Sequence, residues 1–181
     1  MFMSLKLLKL HWNIFFWTFT GKIKKLQSRL NIHPKQVTPE NILIVFPIDE
    51  PSFRVALYSF RNLGHNKMDV NYTFLVNSQF QSLFHIQKGR IEYIYPSSHD
   101  EILNSENSLV RSLKPEEFDM IIDLNPEFHL GISRVISNLK ADLKVGFSSR
   151  FSDRFYNIQL DVSKSGIMEK GFQQINLMLA E

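Results

Sequence analysis

The chain has 181 residues, of which 44% are hydrophobic, and it contains no cysteine. This length predicts one compact domain with a short appendage, and the apolar content excludes a disordered chain. Without cysteine, the chain has no disulfides, no thiolate zinc site and no cysteine nucleophile.

The formal net charge of +3 hides a division along the chain. Residues 1–40 carry seven Lys and Arg against one acid, whereas residues 41–181 carry fourteen against seventeen. A domain that binds nucleic acid would concentrate its basic residues in the folded part. The charge distribution therefore argues against nucleic acid as a partner.

Residues 1–31 are predicted to form a basic amphipathic helix. Its apolar face repeats at helical spacing through Leu5, Leu8, Trp12, Phe15, Phe19, Ile23, Leu26 and Leu30. The longest stretch without charged residues, Leu10–Gly21, is too short for a membrane span. No small-residue cleavage site follows it, which argues against a signal peptide.

Two interpretations of this helix remain open. One is an interfacial helix on an anionic membrane, with aromatic rings in the bilayer surface and basic groups at the headgroups. The other is a helix packed on its own domain or on a partner. The first is favoured, and its predicted membrane contacts are Trp12, Phe15, Phe16, Trp17, Phe19, Lys22, Lys24 and Lys25.

Residues 32–40 contain two prolines and are predicted to be a linker, and residues 41–181 alternate strands with helices. Strands are predicted at Asn41–Phe46, Val70–Val76, Ile91–Tyr95, Phe118–Leu124, Leu143–Phe147 and Phe155–Val162, with the third nearer an edge. Helices are predicted at Phe53–Leu63, Phe80–Ile86, Ile102–Leu113, Pro126–Leu139 and Ile167–Leu179. The alternation predicts an α/β domain, a Rossmann-like three-layer α/β/α arrangement with a mostly parallel sheet.

Ligands of open parallel sheets bind at the carboxyl ends of the strands. Asp49 and Glu50 follow the first strand, in a loop that has neither of the usual glycine-rich nucleotide motifs. These carboxylates could supply a general base. The alternative is a solvated acidic turn that caps the next helix.

Asp123, Asn125 and Glu127 follow the strand at Phe118–Leu124 and could bind a polar ligand. Helix capping offers an alternative for two of them, with Asn125 as the cap, Pro126 at the first helical position and Glu127 in the first turn. Asp123 has no such explanation, so it is the stronger ligand-binding candidate.

Arg150 and Arg154 follow the next strand and could hold phosphate or carboxylate groups. The alternative is an ordinary polar loop with a local Asp–Arg pair. The six histidines show no metal-binding spacing. Neither a metal nor a cofactor is therefore predicted.

Four segments together resemble a known family. They are ILIVF, VALYSFRNL, YTFLVNSQF and the long unit FDMIIDLNPEFHLGISRVISNLKADLKVGF at residues 118–147. Over residues 41–160 the chain resembles the N-terminal half of glycosyltransferase family 9, the ADP-heptose:lipopolysaccharide heptosyltransferases.

The resemblance implies one half of a two-domain GT-B enzyme at the inner face of the cytoplasmic membrane. In such enzymes the N-terminal half receives a lipopolysaccharide-core or lipid-linked acceptor, and the C-terminal half binds the nucleotide sugar. It implies a donor-domain partner, and these acceptor-binding residues: Ser52, Asp123, Asn125, Glu127, Arg150 and Arg154.

Two departures from the family pattern matter. Ser52 stands where the family has its probable catalytic Asp, so Asp49 or Glu50 would have to substitute from a displaced position. The sequence also ends at Glu181, before a donor-binding half, and is expected to be incomplete as an enzyme. The alternative is a non-catalytic, membrane-associated Rossmann-like binding module.

Overall fold

The computed structural model describes residues 5–24, 26, 39–63, 70–86, 88–98, 101–102, 106–113, 117–162 and 168–180. Of the predicted linker at 32–40, only Pro39 and Glu40 belong to this set, and Gly64, the expected end of the second helix, lies outside it.

Six strands form one sheet. They are β1 (Asn41–Val45), β2 (Asn71–Asn77), β3 (Arg90–Ile94), β6 (Phe118–Asp123), β7 (Ala141–Phe147) and β8 (Ile158–Leu160), and a small hairpin adds β4 (Pro96–Ser98) and β5 (Glu101–Ile102). The sheet order is β3-β2-β1-β6-β7-β8, and every neighbouring pair is parallel. The predicted Rossmann-like sheet is confirmed, with β3 at an edge.

Burial explains why the central strands read as continuous apolar runs. All but the first residue of β1 are buried, and all residues of β6 except Asp119 are buried too. A strand with helices on both faces has no solvent side, so apolar residues need not alternate with polar ones. The edge strand β3 is buried only at Ile94.

The helices of the described chain are α1 (Leu5–Phe19), α2 (Glu50–Ser59), α3 (Glu106–Leu113), α4 (Leu130–Asn138) and α5 (Met168–Ala180). One face of the sheet is covered by α2 and α5, whose buried side chains join a core rich in phenylalanine. The other face is covered by α3 and α4. The domain therefore has the three predicted layers.

Three predicted elements differ from the structure. The helix expected at Phe80–Ile86 is a single 3-10 turn, Ser78–Phe80, and Ile102 belongs to β5 rather than to α3. The strand expected at Phe155–Val162 shortens to β8, because a second 3-10 turn, Ser152–Arg154, precedes it. Apolar residues in short turns mimic strand and helix periodicity, so periodicity alone misplaced these boundaries.

The predicted start of α4 is wrong. Asn125 is not its cap, and neither Pro126 nor Glu127 lies in it, because α4 begins at Leu130 with His129 as N-cap. His129 Nδ1 accepts a hydrogen bond from Ile132 N–H at 3.2 Å. The Asn125 side chain is instead held by neighbouring loops, as described below.

The N-terminal helix forms a fourth layer on the outside of α4. The helix predicted over residues 1–31 ends at Phe19, and the chain turns at Gly21, whose φ of 73° favours glycine. This turn returns Ile23 to the core, where it and Ile14 are both buried. The interpretation that the helix packs on its own domain is thus confirmed for one of its faces.

Candidate functional site

Nearly all the polar candidates meet at one edge of the sheet. The loops 46–49, 124–129 and 148–151 follow β1, β6 and β7, which are parallel neighbours. The strand order reverses direction between β1 and β6, and such a switch point is where open α/β sheets bind ligands. This carboxyl edge is therefore the candidate site.

The backbone of a single residue, Ile48, ties the loops at the switch point together. Ile48 N–H donates to Asn125 Oδ1 at 3.0 Å, and Ile48 C=O accepts from Asn77 Nδ2 at 3.0 Å. Asn77 and Asn125 are both buried. Two buried amides thus hold the floor of the site in one conformation. Asn77 was not predicted as a site residue, although a polar residue at the end of the buried run YTFLVN is a visible signal.

Asp123 lies at the centre of a buried hydrogen-bond network. Its Oδ1 accepts from Asn125 N–H at 3.0 Å and from Asn125 Nδ2 at 2.6 Å, and its Oδ2 accepts from the Tyr156 hydroxyl. The Ser133 hydroxyl lies 3.4 Å from that of Tyr156. Asp123 is only 3% exposed, so its carboxylate joins loops within the protein.

Burial also controls how this network titrates. Burial raises the pKa of Asp123, and the hydrogen bonds from Tyr156 and Asn125 oppose that rise only in part. The pKa of Tyr156 is raised well above its usual value, mainly by burial and then by the Asp123 charge. Tyr156 therefore stays a neutral hydrogen-bond donor at physiological pH.

A glycine makes room for the Tyr156 ring. A Cβ atom at Gly146 in β7 would lie 2.8 Å from two carbons of that ring. Side-chain carbons do not approach so closely, so the glycine lets the ring lie directly on the strand. Gly146 was predicted to lie in a strand, whereas Tyr156 was not predicted as a site residue, because its partner Asp123 is 33 residues away.

Asp49 and Glu50 follow β1, and each has a local partner. Asp49 is the N-cap of α2, and its Oδ1 accepts from Ser52 N–H at 2.9 Å. Glu50 Oε1 lies 2.7 Å from Arg54 Nη2, in an ion pair whose side chains are both more than half exposed. Helix capping thus accounts for Asp49, and Ser52 is buried beneath it.

The other predicted polar residues lie along the rim of the same edge. Glu127, Arg150 and Arg154 are exposed, whereas Asp153 accepts a hydrogen bond from Gln159 Nε2 at 2.8 Å. The rim therefore offers carboxylate and guanidinium groups to solvent above a buried floor. Within the described residues, no three His, Asp or Glu side chains are arranged to hold a metal ion.

Solved structures share this fold. The glycosyltransferase of family 9 from Veillonella parvula DSM 2008 matches with a TM-score of 0.62 at 12% identity, over 77% of this chain and 41% of that one. The E. coli heptosyltransferase WaaC matches with a TM-score of 0.55 at 14% identity in its structure with ADP-2-deoxy-2-fluoro heptose, over 75% of this chain and 47% of that one. The structure of the same enzyme with ADP gives a TM-score of 0.52 at 14% identity, over 74% of this chain and 45% of that one.

The fold is that of one domain of a family 9 glycosyltransferase. The predicted resemblance, and the predicted match to half of a GT-B structure, are confirmed at the level of fold. The chain spans less than half the length of these family 9 structures. No protein-family model matches the sequence, and no curated protein is detectably similar to it.

The sheet also carries a buried cation that was not predicted from the sequence. Lys144 lies in β7 and is only 7% exposed, and its Nζ donates to Ile136 C=O and Leu139 C=O, both at 2.8 Å. It thereby binds the last carbonyls of α4, where a positive charge is favourable. Burial, with a smaller contribution from Lys24, lowers the pKa of Lys144 to about 8.

Lys144 should make the stability of the domain depend on pH. Its folded pKa is about 8 and its unfolded pKa about 10.4, so between these values the unfolded state binds more protons. Stability must then rise with pH. Relative to Lys144→Met, the wild type should gain about 2 kcal/mol of unfolding free energy between about pH 7.5 and about pH 9.5. Urea denaturation at both pH values measures this, and parallel curves for the two proteins would contradict it.

The predicted membrane contacts divide between the inner face of α1 and exposed positions on α1 and on the turn that follows it. Trp17 packs on the domain, with the Arg134 guanidinium 3.9 Å from its ring centroid. The others that the structure describes are exposed, namely Trp12, Phe15, Phe16, Phe19, Lys22 and Lys24. Lys25 lies outside the described residues. Among the described helices, none has the length and hydropathy needed to cross a bilayer.

Proposed function

We propose that this domain is the acceptor-binding half of a two-domain glycosyltransferase of the heptosyltransferase type. The observation that carries the proposal is the fold, a parallel sheet in the order β3-β2-β1-β6-β7-β8. The chain aligns with 41% of the length of a family 9 glycosyltransferase. A domain of this kind contributes one wall of the catalytic cleft. A donor-binding half would supply the other wall and the nucleotide sugar.

The polar rim of the carboxyl edge suits a phosphorylated sugar acceptor. Arg150 and Arg154 lie in the segment after β7 and can donate paired hydrogen bonds to phosphate or carboxylate oxygens. Glu127 and Asp49 are exposed after the two strands of the switch point and can accept hydrogen bonds from sugar hydroxyls. The buried amides beneath them keep these loops in place before a ligand arrives. Such preorganisation favours binding.

Transfer to a sugar hydroxyl needs a base that removes its proton. Asp49 is the better candidate, because it is exposed and its capping bond uses only one of its oxygens. Glu50 already forms an ion pair with Arg54. In this mechanism Asp49 would take the proton of the acceptor hydroxyl while that oxygen attacks the sugar carbon and the nucleotide leaves.

A second candidate function is a binding module without catalysis. It is favoured by the intramolecular partners that Asp49, Glu50 and Asp123 already have. A hybrid in which this domain replaces the matched domain of the E. coli heptosyltransferase would distinguish the two. A folded hybrid that binds acceptor and transfers sugar supports the enzyme, whereas binding without transfer supports the module.

The acceptor-binding proposal predicts the effect of removing two charges. Replacing Arg150 and Arg154 together by Gln should weaken binding of deacylated lipopolysaccharide core oligosaccharide at least about tenfold, because charge-assisted hydrogen bonds contribute about 1.5–3 kcal/mol each. Isothermal titration calorimetry measures the affinity.

The matched control is Arg111→Gln, which removes an exposed arginine from α3, away from the carboxyl edge. Its affinity should stay within about twofold of the wild type, since it changes the net charge without touching the rim. Absence of binding by the wild type, or an equal loss in the control, would contradict the proposal.

A further inference from the structure

The helix α1 has two apolar faces, and only one of them is covered. Its inner face is held on the domain by Ile14, which is 1% exposed, and by Trp17 beneath the Arg134 guanidinium. Its outer face leaves large apolar side chains between 44% and 86% exposed, namely Leu5, Leu8, Trp12, Phe15, Phe16 and Phe19. An exposed apolar row of this size marks an interaction surface.

The charges around this outer face indicate what covers it. Lys9, Lys22 and Lys24 are exposed on α1 and on the turn that follows it. Residues 1–40 carry one acid in total, although the rest of the chain is net negative. Aromatic side chains flanked by lysine fit the boundary of an anionic bilayer, where rings enter the acyl region and ammonium groups meet the headgroups.

The anchoring of the inner face fixes how the domain would meet such a bilayer. His11 packs edge-on against Phe151 in the loop after β7, with ring centroids 5.0 Å apart. Further along, Asn138 Nδ2 at the end of α4 donates to Lys22 C=O at 3.0 Å. Since α4 returns from the carboxyl edge of the sheet to the amino edge, α1 runs alongside it in the same direction.

We infer that the outer face of α1 docks the domain side-on to an anionic lipid bilayer, with the strands roughly parallel to the membrane plane and the loop after β7 near the headgroups. The docking itself does not depend on the proposed function. Its use in presenting the carboxyl edge to a lipid-linked acceptor does rest on that proposal.

The two tryptophans of the chain provide a direct test of this orientation. Trp17→Phe leaves Trp12 on the outer face as the sole tryptophan, and Trp12→Phe leaves Trp17 on the inner face. With equimolar phosphatidylglycerol and phosphatidylcholine vesicles, the fluorescence of Trp12 should shift to the blue and be quenched by brominated acyl chains. The fluorescence of Trp17 should change little. A reversed pattern, or no change at either position, would overturn the inference.

Vesicle flotation of the full chain tests the side chains that carry the binding. Replacing Phe15, Phe16 and Phe19 together by Ser should weaken binding about 100-fold or more, because each ring loses its burial in the bilayer. Lys9→Gln with Lys22→Gln should weaken it about 30-fold, since each lysine near an anionic surface strengthens binding about fivefold. Vesicles of phosphatidylcholine alone should bind the wild type weakly.

The matched control replaces Leu177 and Met178 by Ser, because these two apolar residues are exposed on α5. This control should float as the wild type does, and circular dichroism should show that every variant is folded. Equal loss in the control would overturn the inference. A dimer that forms without lipid and dissociates when Phe15, Phe16 and Phe19 are replaced would also overturn the inference, because the outer face would then be covered by a second copy of the chain. Neither the fluorescence nor the flotation measurement uses oligosaccharide. A negative result in them would therefore not contradict the acceptor-binding proposal.

Discussion

Asp123→Leu should lower the free energy of unfolding by about 4 kcal/mol, because it removes the acceptor of three buried hydrogen bonds. The Asn125 backbone N–H, the Asn125 side-chain amide and the Tyr156 hydroxyl would all lose their partner. Leucine resembles aspartate in shape but accepts no hydrogen bond. Urea denaturation followed by circular dichroism measures the loss.

Asp123→Asn is the matched control, since its oxygen can still accept from Asn125 while its amide donates to the Tyr156 oxygen. Burial raises the pKa of Asp123 in the folded state, so the folded protein keeps this proton to a higher pH than the unfolded chain does. The stability of the wild type relative to Asp123→Asn should therefore fall as the pH rises above about 4, the usual pKa of aspartate in an unfolded chain. A leucine variant as stable as the asparagine variant would contradict this role for Asp123.

Phe46→Ala should cost about 3–5 kcal/mol of unfolding free energy, the usual loss for a buried phenylalanine. Phe46 has no exposed surface, and its ring centroid lies 5.1–6.3 Å from those of four other rings, Phe53, Phe60, Phe74 and Phe84. Truncation would leave a cavity among side chains contributed by α2, by β2 and by two loop positions, Phe60 and Phe84. Equilibrium denaturation in urea measures the effect.

Phe46→Leu serves as the control, because it nearly preserves volume and should cost less than about 1.5 kcal/mol. Phe46 also directly precedes the loop that carries Ile48 and Asp49, so the alanine variant should bind acceptor oligosaccharide more weakly. If the alanine and leucine variants were equally stable, the aromatic cluster would not be the main support of this face of the sheet.

The sequence predicted the sheet well because burial on both faces leaves a strong local signal. The runs Asn41–Phe46 and Phe118–Leu124 are buried at every position except Asn41 and Asp119, so each is recognisable without knowledge of its neighbours. The position of Ile91–Tyr95 at an edge was also predictable, because polar and apolar residues alternate in its sequence, and in the structure Ile94 is the one buried residue of β3.

The details of the site could not be predicted, because they depend on partners that are distant in sequence. Asn125-Pro126-Glu127 has the composition of a helix start, yet Asn125 binds Ile48, 77 residues away. Asparagine is favoured both as a helix cap and as the partner in this tertiary hydrogen bond, so the residue type alone does not distinguish the two roles. Asp123 was singled out because capping does not explain it, but its partner Tyr156 becomes visible only once β7 and its loop are in place.

The N-terminal helix shows a different limit of sequence reasoning. Periodicity placed its apolar positions on one helical face, and two interpretations of that face, docked or membrane-bound, were left open. The structure assigns Ile14 and Trp17 to the domain and leaves Trp12 and Phe15 exposed. The two interpretations therefore apply to opposite sides of one helix, and only the docked side has been confirmed.

The central claim is that the carboxyl edge at the switch point binds the acceptor, and chemical-shift mapping by NMR tests it most directly. Titration of the isotope-labelled domain with deacylated lipopolysaccharide core oligosaccharide should shift the amide signals of the non-proline residues in 46–50, 125–129 and 148–154. Amides at the opposite edge, such as that of Glu40, which donates to Asp119 Oδ2 at 2.8 Å, should stay unchanged. Shifts confined to that opposite edge or to α5, or no shifts at saturating oligosaccharide, would contradict the claim.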